Sequence, residues 1–166
     1  MRTPKLPRRS FLKGSIASAA TVGAATLALP AAAGAGKSPA QKKIITRPGQ
    51  PLTAESLFSP ATQLGNTLFL SGSGAQEPQT HKVVPGPIGN QVKQCLENLK
   101  TVLEAAGSSM DKVLKCTVFL TDITDFPAMN EVYHSCFPAN PPARTTIAVK
   151  DLPGGSPVEI ECIAYV

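Results

Sequence analysis

Between Gly89 and Ala106 the apolar residues Val92, Leu96, Leu99, Val102, Leu103 and Ala106 recur every three or four positions, the spacing of one helical face. Gly107 supplies the stop, and Asn98 and Lys100 face away from the stripe. Such a stripe must be buried against something, and its neighbours say what. Val113 to Leu120 reads as a strand with Leu114, Cys116, Val118 and Leu120 on one face. A turn follows at Asp122 to Asp125. Asp125 is then placed to cap a second helix, running from about Pro127 to Phe137 with Met129, Val132, Tyr133 and Phe137 as its apolar members. Asn140-Pro141-Pro142 breaks the chain. Arg144 to Val149 and Val158 to Val166 are strands on either side of a turn at Leu152 to Pro157. Upstream, Asn66 to Gly72 is a strand entered through Gly65-Asn66, and Ser73 to Pro87 is a loop.

The order strand, helix, strand, helix, strand, strand predicts an α+β fold: a single sheet with two helices packed on one face. The uncovered face must stay wet or be buried against another subunit. In the last strand, Val158, Ile160, Cys162 and Ala164 alternate with Glu159, Glu161, Ile163 and Tyr165. The second set is mixed in polarity and suits an oligomer interface that contains a polar pocket.

The formal charge of +5 raises nucleic acid as a partner, but its location removes the argument. Arg2, Lys5, Arg8, Arg9 and Lys13 precede position 36, where no acidic residue occurs. The remaining 11 basic residues are balanced by 11 acidic ones. Ile16 to Leu29 is a weakly apolar run closed by Pro30 and the small residues Ala31 to Ala35, the layout of a secretory signal. Arg8-Arg9-Ser10-Phe11-Leu12-Lys13 resembles the twin-arginine export motif, with Pro7 where Ser or Thr is more usual. A span needs roughly 20 strongly apolar residues. Residues 1–35 are therefore expected to be a signal cleaved near Ala33 to Ala35, directing the protein to the periplasm; a retained anchor is the alternative. Residues 36–50, with Lys37, Lys42, Lys43, Pro39 and Pro48, read as a flexible tether, and 51–166 as one domain.

Few chemistries survive inspection. His81 and His134 have no ligand-spaced partners, so no metal site is expected. Cys95, Cys116 and Cys162 occupy apolar positions, where a thiol packs as a small hydrophobe, and Cys136 makes no C-x-x-C pair with any of them. A Cys116–Cys162 bridge between neighbouring strands is the alternative. Nucleophile-elbow, P-loop and dinucleotide motifs are missing. A neutral domain with few aromatics and no His–His or His–Lys pair lacks the footprint and the acid/base pair of a ribonuclease. What stands out is Arg144 at the start of one strand and Glu159 on the next, which a hairpin would bring towards one region. The plain reading is a salt bridge on a sheet face.

The segments Arg144-Thr145-Thr146-Ile147-Ala148-Val149, Leu152-Pro153 and Val158-Glu159-Ile160-Glu161-Cys162-Ile163-Ala164 together resemble the signature of the RidA (YjgF) family. The likeness extends through Gln91 to Gly107, Lys115 to Leu120, Asp125-Phe126 to Asn130, Phe58-Ser59-Pro60-Ala61, Gly65-Asn66 and Ser71-Gly72. It implies a chorismate-mutase-like fold, a homotrimer with clefts between subunits, and hydrolysis of reactive enamines and imines such as 2-aminoacrylate to a keto acid and ammonia. By the same resemblance Arg144 anchors a substrate carboxylate and Glu159 positions water, with no metal or cofactor. Ser71, Gly72 and Asn130 match cleft positions. Phe58 stands where active members commonly carry Tyr, and Thr146 where many carry Cys. The alternative reading is an exported trimeric protein that binds a small metabolite without turning it over.

Overall fold

The computed structural model describes residues 40–166. The expected export signal lies outside the described residues. The chain runs β1 (Lys43–Ile45), β2 (Ala61–Leu64), β3 (Thr67–Gly74), α1 (Ile88–Ala105), β4 (Val113–Leu120), α2 (Phe126–Cys136), β5 (Ala143–Ala148) and β6 (Val158–Tyr165). Six strands form one mixed sheet in the order β1-β2-β3-β6-β4-β5, antiparallel except for the parallel β4–β5 pair. That parallel pair needs a crossover, and α2 is the crossover.

Both helices pack on the same face, so the α+β expectation holds. The stripe of α1 is buried through Val92, Cys95, Leu96, Leu99, Val102 and Leu103. It meets Leu68, Leu70, Val158, Ile160, Cys162 and Ala164 of the sheet, all in one core. Burying a Val, Leu or Ile side chain contributes roughly 1.5–3 kcal/mol, so this interface holds the helix where propensity alone would not.

Four expectations need correction. Lys43–Ile45 falls in the stretch read as a tether, yet it pairs with β2 and buries Ile45 in the core. The β-branched pair Ile44-Ile45 forms an edge strand because half its surface finds apolar cover. In β4 the register against β6 shifts between Val113 and Lys115. The bulge turns Val113 inward and leaves Leu114 51% exposed. Asn98 is buried, and its amide donates to the carbonyls of Gly74 and Gln76 at 3.2 and 2.9 Å. Those carbonyls lie where the chain leaves the end of β3, and a polar residue on α1 supplies donors to them. Finally, Asp125 makes no side-chain cap; Asp122 instead accepts from the Thr124 backbone N–H at 2.8 Å, closing the preceding turn.

Cys116 and Cys162 stand directly opposite each other in the β4–β6 register. Both are buried free thiols, as is Cys95. Burial raises the pKa of all three above the ordinary thiol value.

Candidate active site

The sequence places Glu159 on the face of β6 that the helices do not cover, between the buried Val158 and Ile160. Its register partner across β3 is Gly74, and a bulge at Ser71-Gly72 separates that pairing from Leu70–Cys162. The bulge lets the Glu159 side chain lie over Gly72: a Cβ built there would be 2.7 Å from the carboxyl carbon. On the other edge of β3 the Ser71 N–H continues the β2–β3 register by donating to the Pro60 carbonyl at 3.0 Å, while the Ser71 hydroxyl donates to the Ser59 carbonyl at 2.8 Å. Ser71 thus pins the segment carrying Phe58 beside Gly72. Phe58 is 64% exposed at the lip of a cavity of about 290 Å³, which Gly72, Gly74, Gln76, His81 and Arg47 also line. Burial, and then the neighbouring Glu161 carboxylate, raise the Glu159 pKa above the ordinary carboxylate value. A carboxylate in that state is a stronger base than one in free solvent.

Arg144 belongs to a different wall. It lies on edge strand β5 in register with Cys116 of β4, on the helix-covered face. Its Nη2 donates to Asn130 Oδ1 at 2.6 Å. The guanidinium lies 4.5 Å from the Tyr133 ring centroid and 5.7 Å from that of Phe126. Asn130, Phe126 and Tyr133 all come from α2, so one helix both tethers and stacks the cation. A second cavity, about 410 Å³, opens over Arg144, Asn130, Tyr133 and His134, with Pro141 and Pro142 as its apolar rim. Two residues along β5, Thr146 points to the same face. Its hydroxyl is buried without a hydrogen-bond partner, as is that of Tyr133.

The two half-sites do not meet within one chain. The hairpin expected between the strands of Arg144 and Glu159 is absent, because β4 lies between β5 and β6. The burial patterns give the reason: β6 buries every second residue completely, as a central strand must, whereas β5 is largely exposed and takes the edge. Arg144 pairs with Cys116 and Glu159 with Phe119. Two strand spacings, roughly 10 Å, and three residues of β4, again roughly 10 Å, separate them in the plane of the sheet. They also project from opposite faces. A salt bridge between them is therefore ruled out, and no small substrate reaches both from a single copy.

Of the expected residues, Phe58, Ser71, Gly72 and Glu159 gather at the first wall, and Asn130, Arg144 and Thr146 at the second. Sequence reasoning missed Arg47, Tyr133 and His134 as lining residues. Arg47 was hidden by the tether reading, although the β-branched run Ile44-Ile45-Thr46 before it is a strand signal. Tyr133 was counted as core, which it also is.

The profile of the endoribonuclease L-PSP family matches residues 49–166. The 2-iminobutanoate/2-iminopropanoate deaminase of Dermatophagoides farinae is 39% identical over 125 residues, covering 75% of this chain and 97% of that protein. Among solved structures, the YjgF gene product of E. coli is 34% identical with a TM-score of 0.67, covering 74% of this chain and 98% of that one. E. coli TdcF with bound serine is 37% identical with a TM-score of 0.68, covering 75% and 98% respectively.

Proposed function

The chain belongs to the endoribonuclease L-PSP family, the RidA (YjgF) group, and on that premise we propose that it hydrolyses carboxylate-bearing imines and enamines to 2-oxo acids and ammonia. The observation that carries this reading is the state of Arg144. A guanidinium stacked 4.5 Å from the Tyr133 ring and tethered to Asn130 at 2.6 Å, at the floor of an open cavity, is preorganised to grip a planar carboxylate through two parallel N–H donors.

Because Glu159 lies on the other face of the sheet, the site closes between two copies, with Arg144 from one and Glu159 from its neighbour. The open sheet face carries the exposed apolar residues Phe69, Ile147 and Tyr165, a surface suited to burial in a homotrimer. Arg144 fixes the substrate carboxylate, and Glu159 holds a water against the imine carbon. As the water oxygen bonds to the carbon of the protonated imine, Glu159 takes a proton from the water and the C=N π pair returns to nitrogen, giving a neutral carbinolamine. Glu159 then hands that proton to the amine, and as the C–N bond breaks it takes up the hydroxyl proton, so that ammonia leaves and the 2-oxo acid remains. An enamine enters the same sequence after a proton shifts to its terminal carbon. The intrinsic ease of imine hydrolysis lets orientation and one base suffice. Residues 1–35 act as the export signal in this reading, placing the domain in the periplasm.

The test is ammonia release from 2-iminopropanoate generated in situ by an amino-acid oxidase, corrected for the spontaneous reaction. Arg144→Ala is expected to lower kcat/KM by about 100-fold, the loss of charge-assisted bonds to the carboxylate. Equal rates for parent and variant would overturn the proposal. Phe58 supplies no hydroxyl at the lip of the cavity beside Gly72, which favours one second reading: binding without turnover. That reading predicts Arg144-dependent thermal stabilisation by 2-oxobutanoate together with no ammonia release.

A further inference from the structure

The first cavity holds a cation that the deaminase reading leaves unused. Arg47 follows β1, and its carbonyl accepts from the Gln50 N–H at 3.1 Å, which closes a local turn. Its side chain is half-buried. Among the described residues no carboxylate lies within 4.0 Å of it, and its guanidinium makes no hydrogen bond. Burial draws its pKa below the ordinary guanidinium value, as expected of a cation that has lost water and gained no counter-charge. A guanidinium has five N–H donors, and a half-buried one has less water to satisfy them. An anion entering the cavity would satisfy them.

The position of the cavity says which anion. Arg47 shares it with Phe58, Gly72 and Gly74, the wall over which Glu159 lies. An imine anchored on the neighbouring copy's Arg144 and meeting Glu159 at that wall would have this space open to its remaining side chain. Resting on the deaminase reading, we infer that Arg47 forms a subsite for a second acidic group, making imines of dicarboxylic amino acids the preferred substrate class. The cavity, about 290 Å³, accepts a succinate- or glutarate-sized chain. Gln50, Gln76 and His81 add polar groups around it. Glu77 is the one acid of the lining, and its Oε2 accepts from the Thr80 hydroxyl at 3.0 Å. Its charge works against a dianion, so Glu77→Gln strengthens the preference.

The experiment compares imines formed in situ from aspartate and from alanine by the matching amino-acid oxidases. The parent is expected to favour the aspartate-derived imine, and Arg47→Met to lower the ratio of the two kcat/KM values about 10-fold, one charge-assisted contact. Arg47→Lys retains part of the ratio and serves if the methionine variant does not fold. An unchanged ratio overturns the subsite. If the parent hydrolyses neither imine, the deaminase reading fails instead, and thermal stabilisation decides the subsite. Greater stabilisation by 2-oxoglutarate than by 2-oxobutanoate, lost in the Arg47 variant, supports it; equal stabilisation overturns it.

Discussion

Glu159 lies across Gly72 so closely that a side chain there must displace it: an added Cβ would stand 2.7 Å from the carboxyl carbon and 3.1 Å from Cγ. The bulge at Ser71-Gly72 and the orientation of the carboxylate are therefore one feature. Gly72→Ala pushes Glu159 off this surface. The displaced atoms are the far end of a flexible, partly exposed side chain, so the shift costs little stability, but it moves the base away from the water it holds. Turnover is expected to fall sharply while Tm changes little, a combination that ammonia release and thermal melts check together.

The raised pKa of Glu159 sets the sign of two pH effects. Proton abstraction needs the carboxylate, so kcat/KM falls as pH drops through the raised value, and the residual rate of Glu159→Gln lacks that limb. Stability runs the other way. A group whose folded pKa exceeds its unfolded one contributes stability that is present below the unfolded pKa and lost as pH rises through the folded one. Glu159→Gln does not titrate. Its Tm relative to the parent is thus expected to climb across the carboxylate range and then level off. A Tm difference that is flat with pH would contradict the burial argument.

Tyr133 separates stacking from hydrogen bonding. Its ring supports the Arg144 guanidinium and also packs 4.8 Å from Phe137, while its hydroxyl is buried without a partner. Tyr133→Phe keeps the ring and removes the orphan group, whose burial costs about 1–3 kcal/mol when unpaired. Tm is expected to hold or rise, with KM unchanged. Tyr133→Leu loses a cation–π contact of about 0.5–2 kcal/mol. KM for the imine then rises more than kcat falls, because the cation that grips the carboxylate is no longer held in place.

The fold was largely legible because periodicity reports burial directly. The stripe of α1 and the alternation of β6 each name one face, and the structure buries those faces. What escaped was set by contacts that no local pattern encodes. Whether β6 pairs with β5 or inserts beyond β4 depends on which strand can be buried on its alternate residues, a property of the whole sheet. A hairpin would bring Arg144 and Glu159 towards one region; the intervening β4 separates them, and side-chain alternation in this register puts them on opposite faces. Leu114 left its expected face because a bulge adds one residue and reverses the alternation before it. Arg47 was lost for a related reason: a three-residue edge strand is too short to show a period, and only pairing with β2 makes it one.

The separation of Arg144 and Glu159 gives a test that does not depend on knowing the natural substrate. Arg144→Ala and Glu159→Ala are each expected to keep only a small residual activity, because every site lacks one of its two groups. If each site takes Arg144 from one copy and Glu159 from the next, mixing the two variants restores some intact sites. A site is intact only when its arginine comes from the Glu159 variant and its glutamate from the Arg144 variant. Random exchange of equal amounts in a cyclic oligomer gives that arrangement at about one quarter of the sites. Co-expressed or unfolded-and-refolded mixtures are thus expected to recover about a quarter of parental ammonia release, while separately prepared variants combined without exchange recover none. Activity confined to the parent under every mixing condition would show that the two residues do not serve a shared cleft.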